Sequence, residues 1–130
     1  MSINKDISIL IVEDNEQIRT LLHSVLSNVG LENIVEAEDG LSAWRQLSAH
    51  HFDIILTDWM MPKMSGLELL KKVRQSSSKF KNIPILMITA SDKSENIVEA
   101  AQHKINGYIV KPFSVKTIVS KIEEVLNNPL

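Results

Sequence analysis

A chain of 130 residues, 44% hydrophobic and 23% charged, suffices for one globular domain, here expected over 1–130, and is too short for two ordinary ones. The absence of cysteine excludes disulfides and thiolate metal sites, and apolar runs of five or six residues are too short to cross a membrane. A formal net charge of −2 gives no general attraction to nucleic acid or anionic lipid, and Met1–Asp6 lacks the apolar core of a secretory signal, so a cytoplasmic protein is expected.

Short apolar runs alternate with longer amphipathic stretches along the whole chain. The first run, Ile7–Val12, leads into Glu13-Asp14. A helix is predicted over Glu16–Val29, where Ile18, Leu21, Leu22, Val25, Leu26 and Val29 recur at three- and four-residue steps and so share a face. A short second run, Ile34–Ala37, carries Glu36 and precedes a helix over Gly40–Ala49. The third run, Phe52–Thr57, ends in Thr57-Asp58 and opens a Pro-containing loop before a helix over Gly66–Gln75. The fourth, Ile83–Ile88, ends in Thr89-Ala90 and precedes a helix over Lys93–Gln102. The fifth, Tyr108–Val110, ends in Lys111-Pro112, and the last helix, Val115–Leu126, stacks Val115, Ile118, Val119, Ile122 and Val125 on one side.

Strands separated by helices of this length pair in parallel, each helix making a right-handed crossover. The first, third and fourth runs are almost continuously apolar, as central strands covered on both faces must be; the second and fifth suit the edges. The expected fold is therefore α/β: a flavodoxin-like, doubly wound, five-stranded parallel sheet in the order 2-1-3-4-5 with five helices.

Sites in such sheets form beyond the carboxyl ends of the strands. That edge should collect Glu13, Asp14, Asp58, Thr89, Ala90 and Lys111. Crowded carboxylates repel and stay ionised near neutrality only beside positive charge. A hard cation with oxygen ligands supplies it most simply, and Lys111 is a second source. Mg²⁺ held by three carboxylates would keep waters and an open place for a phosphoryl oxygen, with Asp58 as oxygen nucleophile. Taken singly, each residue has a plainer reading. Asp14 or Asn15 could simply cap the helix that follows, and a lone Thr or Lys at a strand end is usually solvated. The constellation is more specific than any member.

Glu13-Asp14, the segment Thr-Asp-Trp-Met-Met-Pro-Lys-Met-Ser-Gly at Thr57–Gly66, Thr89-Ala90 and Lys111-Pro112-Phe113 together resemble bacterial two-component response-regulator receiver domains, from about Ile7 to Leu126. Within that family the sequence looks most like the single-domain chemotaxis (CheY) members, through Glu38-Asp39-Gly40, Asp58-Trp59, Glu68-Leu69-Leu70, Glu95-Asn96-Ile97 and Gly107-Tyr108. Chemotaxis receivers are themselves a standard example of the 2-1-3-4-5 order, so the resemblance and the fold expectation are not independent. The resemblance implies that Asp58 is phosphorylated by a CheA-like sensor histidine kinase. It implies a Mg²⁺ cofactor bound by Asp14, by Glu13 through water, by Asp58 and by the backbone carbonyl of Met60. Thr89, with Ala90, would contact the phosphoryl group, Lys111 would pair with it, and the bond before Pro112 would be cis. Tyr108 would turn inward on activation. The reporting face would comprise Lys93, Glu95, Asn96, Ile97, Tyr108, Val110 and Lys121, and would bind a flagellar motor switch protein of FliM type. The protein implied is a monomeric phosphoacceptor rather than an enzyme, without output domain, nucleic-acid partner or membrane association.

Met60 departs from the family pattern: chemotaxis relatives often carry Asn there, and a thioether cannot orient an attacking water as an amide can. Met60 and Ser91 are therefore expected to tune dephosphorylation, and a phosphatase that exploits that amide is not expected. Within the family, another phosphorelay or a phosphate-sink role is the alternative to the motor. An aspartyl-phosphate-forming phosphohydrolase fits poorly, since it would place the nucleophile after the first strand with a second Asp two residues on. A nucleotide or flavin carrier would need a Gly- or Ser/Thr-rich loop where Glu13-Asp14-Asn15-Glu16 stands. The four histidines (His23, His50, His51, His103) have no acidic or histidine partner at ligand spacing along the chain, so surface or boundary positions are expected. Trp59 is expected to be a partly exposed neighbour of the metal.

Overall fold

The computed structural model describes residues 4–90 and 94–127, and for residues 94–97 the course of the backbone only. Five strands and five helices alternate: β1 Ser8–Val12, α1 Glu16–Asn28, β2 Asn33–Ala37, α2 Gly40–Ala49, β3 Ile54–Asp58, α3 Gly66–Gln75, β4 Ile85–Thr89, α4 Ser94–Gln102, β5 Gly107–Val110 and α5 Val115–Asn127. All four strand pairings are parallel and the order is β2-β1-β3-β4-β5. This is the expected flavodoxin-like α/β fold.

Side chains of consecutive strand residues point to opposite faces, and here both faces are buried. Ile9, Ile11, Ile54, Leu56, Leu86 and Ile88 pack on one side under Leu22, Leu26, Ile118 and Ile122 of α1 and α5. Leu10, Val12, Ile55, Ile85 and Met87 pack on the other, under Ala43, Leu47, Leu69, Leu70, Val73 and Ala100 of α2, α3 and α4. Each such Leu or Ile removed from water contributes about 2 kcal/mol before the entropy of ordering it. The two-sided core is why the central strands read as unbroken apolar runs.

The third and fourth strands begin two residues later than their apolar runs and end one residue later. Phe52 and Ile83 are buried, yet they precede the ladder: Asp53 N–H donates to the Ser8 carbonyl, and Pro84 offers only its carbonyl, to Ile55 N–H. Burial of an apolar side chain does not by itself mark pairing. Asp58 closes β3, as expected, and is buried within it. The N-cap of α1 is Asn15, whose side chain accepts from Ile18 N–H, so Asp14 is not consumed as a cap. At the far end of α1, Gly30 takes a left-handed φ of 100° and Leu31 N–H reaches back to the Leu26 carbonyl, closing the helix.

Candidate functional site

The carboxyl ends of β1, β3, β4 and β5 meet at one rim of the sheet. The register fixes this: Val12 pairs with Thr57, Asp58 with Ile88, and Thr89 with Val110, so the residues that follow each strand are neighbours in space. Carboxylate oxygens of Glu13, Asp14 and Asp58 lie within 4.8 Å of one another. Glu13 and Asp58 are buried, at 1% and 7% exposure, while Asp14 is exposed.

Lys111 enters from the end of β5. Its ammonium donates to Asp58 Oδ1 at 3.2 Å and to Glu13 Oε1 at 3.4 Å. Its own N–H is held by the Thr89 carbonyl at 2.8 Å, and the Lys111–Pro112 bond is cis. Asp58 Oδ1 also accepts from Trp59 N–H at 2.9 Å. Thr57, buried beside it, donates its hydroxyl to the Asp58 carbonyl. Thr89 is buried, and Ala90 next to it is exposed.

One lysine does not neutralise this cluster. Burial raises the Glu13 carboxyl from its ordinary 4.5 to about 7, with the Asn15 amide pulling it down, the Asp58 charge adding to the rise and Lys111 opposing it. A group held near half-protonated by burial and a like charge is the electrostatic condition a divalent cation relieves. The donor set, carboxylate oxygens only, suits a hard ion such as Mg²⁺ rather than a soft one.

The loop after β3 is shaped by close approach. A Cβ on Gly66 would stand 2.2 Å from the Asp58 carbonyl oxygen, and Gly66 N–H donates to the Trp59 carbonyl. Only glycine lets α3 start that near the strand end. Ser65 and Glu68 then form a capping box that fixes the first turn of α3. Lys63 adopts a left-handed φ of 68° and pairs with Asp39, the N-cap of α2, at 3.8 Å. Met60 leaves the loop 73% exposed, and Trp59 is half-buried against the α2–α3 side of the core.

Of the expected reporting face, Val110 is half-buried in β5, Tyr108 is 37% exposed, and Lys121 pairs with Glu124 at 3.5 Å. Ser91 and Lys93 lie outside the described residues, as do the side chains of Glu95, Asn96 and Ile97. Sequence reasoning passed over two clusters. His23 Nδ1 lies 2.6 Å from Glu36 Oε2, and Glu36 Oε1 accepts from Arg19 Nε at 3.0 Å; the histidine does have an acidic partner, brought from β2 by the fold. Arg74 binds a set of backbone carbonyls at the opposite rim. Neither has a signal at short spacing.

Fold and site define a doubly wound α/β domain with an acidic cluster at its carboxyl rim, and comparison with known proteins gives its class: residues 9–123 match the response regulator receiver domain model, so the chain belongs to that family. It is a two-component response-regulator receiver. The chain is similar to the chemotaxis protein CheY-3 of Vibrio cholerae, with 45% identity over 95% of this chain and 94% of that one. It is similar also to the chemotaxis protein CheY of Pseudomonas aeruginosa, with 43% identity over 90% of this chain and 94% of that one. The solved structure of the chemotaxis response regulator CheY4 of Vibrio cholerae superimposes with a TM-score of 0.84 at 34% identity, over 92% of this chain and 98% of that one. Among the described residues no helix is long and apolar enough to cross a membrane.

Proposed function

We propose that Asp58 accepts a phosphoryl group from a phosphohistidine on a CheA-like sensor histidine kinase, and that the altered surface then binds a flagellar motor switch protein of FliM type. The observation that carries the first part is the convergence of Glu13, Asp14 and Asp58 within 4.8 Å with Lys111 on Asp58. A carboxylate oxygen of Asp58 forms the new bond to phosphorus as the phosphorus–nitrogen bond to histidine breaks, and the leaving imidazole takes up a proton. Bound Mg²⁺ would offset the charge gathered on phosphate and carboxylates. Glu13, Asp14, the Asp58 carboxylate and the Met60 carbonyl would hold that ion. Lys111, already on Asp58, would pair with the phosphoryl oxygens, and Thr89 with Ala90 would contact them at the end of β4.

The match to a V. cholerae chemotaxis relative over 94% of that protein's length supports a cytoplasmic receiver that signals through its own surface. Tyr108, 37% exposed on edge strand β5, would turn inward when the site fills. The reporting face would run over α4, β5 and α5, and the switch is a shift between two packings biased by a new dianionic group.

Incubation with acetyl phosphate and Mg²⁺ should add one phosphoryl group by intact mass, and Asp58→Asn should remove it. Equal labelling of both proteins would end the reading. A motor-switch N-terminal peptide should bind more tightly in the presence of beryllofluoride. Binding indifferent to that phosphate mimic would point to another phosphorelay or a phosphate sink.

A further inference from the structure

The peptide plane between the two adjacent acidic residues of the site is held by a side chain outside it. Glu13 N–H donates to the Ala37 carbonyl at 3.0 Å, and the Glu13 carbonyl accepts from Arg19 Nη1 at 2.9 Å. Both polar groups of the Glu13 main chain are thus tied to groups outside the β1–α1 loop. Arg19 sits one turn into α1 and is mostly buried, with 17% of its side chain exposed. Its other edge is paired in turn: Nε donates to Glu36 Oε1 at 3.0 Å, and the second Glu36 oxygen meets His23 Nδ1 at 2.6 Å.

The geometry suits one task. A guanidinium is planar and rigid, so fixing one edge by a carboxylate fixes the direction of the other. Glu36, presented by β2, orients Arg19; Arg19 orients the carbonyl that joins Glu13 to Asp14. Rotation of that carbonyl would swing Asp14, the exposed member of the carboxylate cluster, relative to its two buried neighbours. Asn15, next along, has its amide on Glu13 Oε2 and its side chain on Ile18 N–H, which leaves Asp14 between two held residues.

We propose that Arg19, aimed by Glu36, is a positioning residue for the cation site, setting where the Asp14 carboxylate stands. His23 shares Glu36 and steadies it. The inference rests on the reading of Glu13, Asp14 and Asp58 as a Mg²⁺ site. Groups that orient the ligands of a metal change its affinity about 10–100-fold when removed.

Mg²⁺ titrations followed through the Trp59 N–H by NMR, at one fixed pH, test it. Arg19→Gln should weaken Mg²⁺ binding about tenfold, Arg19→Lys, which can reach one acceptor but not both, by less, and Glu36→Gln, which leaves Arg19 in place but unaimed, by an intermediate factor. Melting in EDTA, run alongside, separates a loss of fold from a loss of affinity, and amide chemical shifts should change around Asp14 before they change in the core. Wild-type-like Mg²⁺ affinity in folded Arg19→Gln and Glu36→Gln would overturn the positioning role while leaving the metal site intact. A wild-type chain with no saturable Mg²⁺ response would overturn both.

Discussion

Glu13 is the residue at which the electrostatics of the rim can be read directly. Its carboxyl is 1% exposed and raised to about 7 by burial, so without metal the folded chain holds a proton that the unfolded chain releases near 4.5. The contribution of that proton to stability is full below about pH 4.5 and is lost as pH rises through about 7. The metal-free protein should therefore melt lower at pH 8 than at pH 5.5, by a swing on the order of 2–3 kcal/mol. Mg²⁺ needs the ionised carboxylate, so its affinity should climb over the same window and level off above it. Melts across that range with and without Mg²⁺ check both signs; Glu13→Gln should flatten them, and an unchanged profile in that variant would place the titration elsewhere. Met60 gives a second residue-scale test. Its side chain stands in solvent two positions past Asp58, with no group able to orient water. Met60→Asn should shorten the phosphoryl lifetime, measured by loss of the labelled mass, and equal half-lives would remove Met60 from that role.

At the scale of elements, a helix cap and an arginine clamp differ in how visible they are beforehand. The Asn15 cap could be anticipated from residue type alone, because a short amide before an amphipathic run commonly accepts from the first turn. The Arg74 tie could not. From α3 it donates to the carbonyls of Lys81, Ile83 and Lys104 and to Asn106 Oδ1, which itself accepts from Ile85 N–H. Its partners are mostly main chain, to which sequence gives no address. Partial burial lowers the Arg74 pKa to about 10, still charged at neutrality, and the one guanidinium donates to three carbonyls at once. Arg74→Ala should cost about 2–4 kcal/mol by denaturant melts. Arg74→Lys should recover little, since one ammonium cannot span the set. A loss under about 0.5 kcal/mol would mean that water satisfies those carbonyls equally well.

For the whole molecule, the sheet order was legible because covering both faces forces β1, β3 and β4 to be apolar throughout, while β2 can keep Glu36 and β5 can keep Tyr108 half in water. The convergence of Glu13, Asp58, Thr89 and Lys111 was legible for the same reason: parallel strands deliver their final residues to one rim. The strand starts were not, since Phe52 and Ile83 are as buried as strand residues yet precede the ladder. Nor were Arg19 and His23, which meet Glu36 only once α1 lies along β2. Because the proposed cation site draws on the ends of β1 and β3, metal binding should act on the global unfolding equilibrium. At Mg²⁺ one hundredfold above its dissociation constant, stability should rise by about 2.7 kcal/mol over that in EDTA. Asp14→Asn should shrink this increment without lowering the EDTA baseline, and a full increment in that variant would exclude Asp14 from the ligands.

The missing side chain at Gly66 has a mechanical consequence. With no atom between the α3 entry and the Asp58 carbonyl, and with Gly66 N–H latched to the next carbonyl along, the end of β3 and the head of that helix are geared together. A shift of the Asp58 main chain should therefore carry the first turn of α3 with it, on the face of the sheet that α1 and α5 leave uncovered.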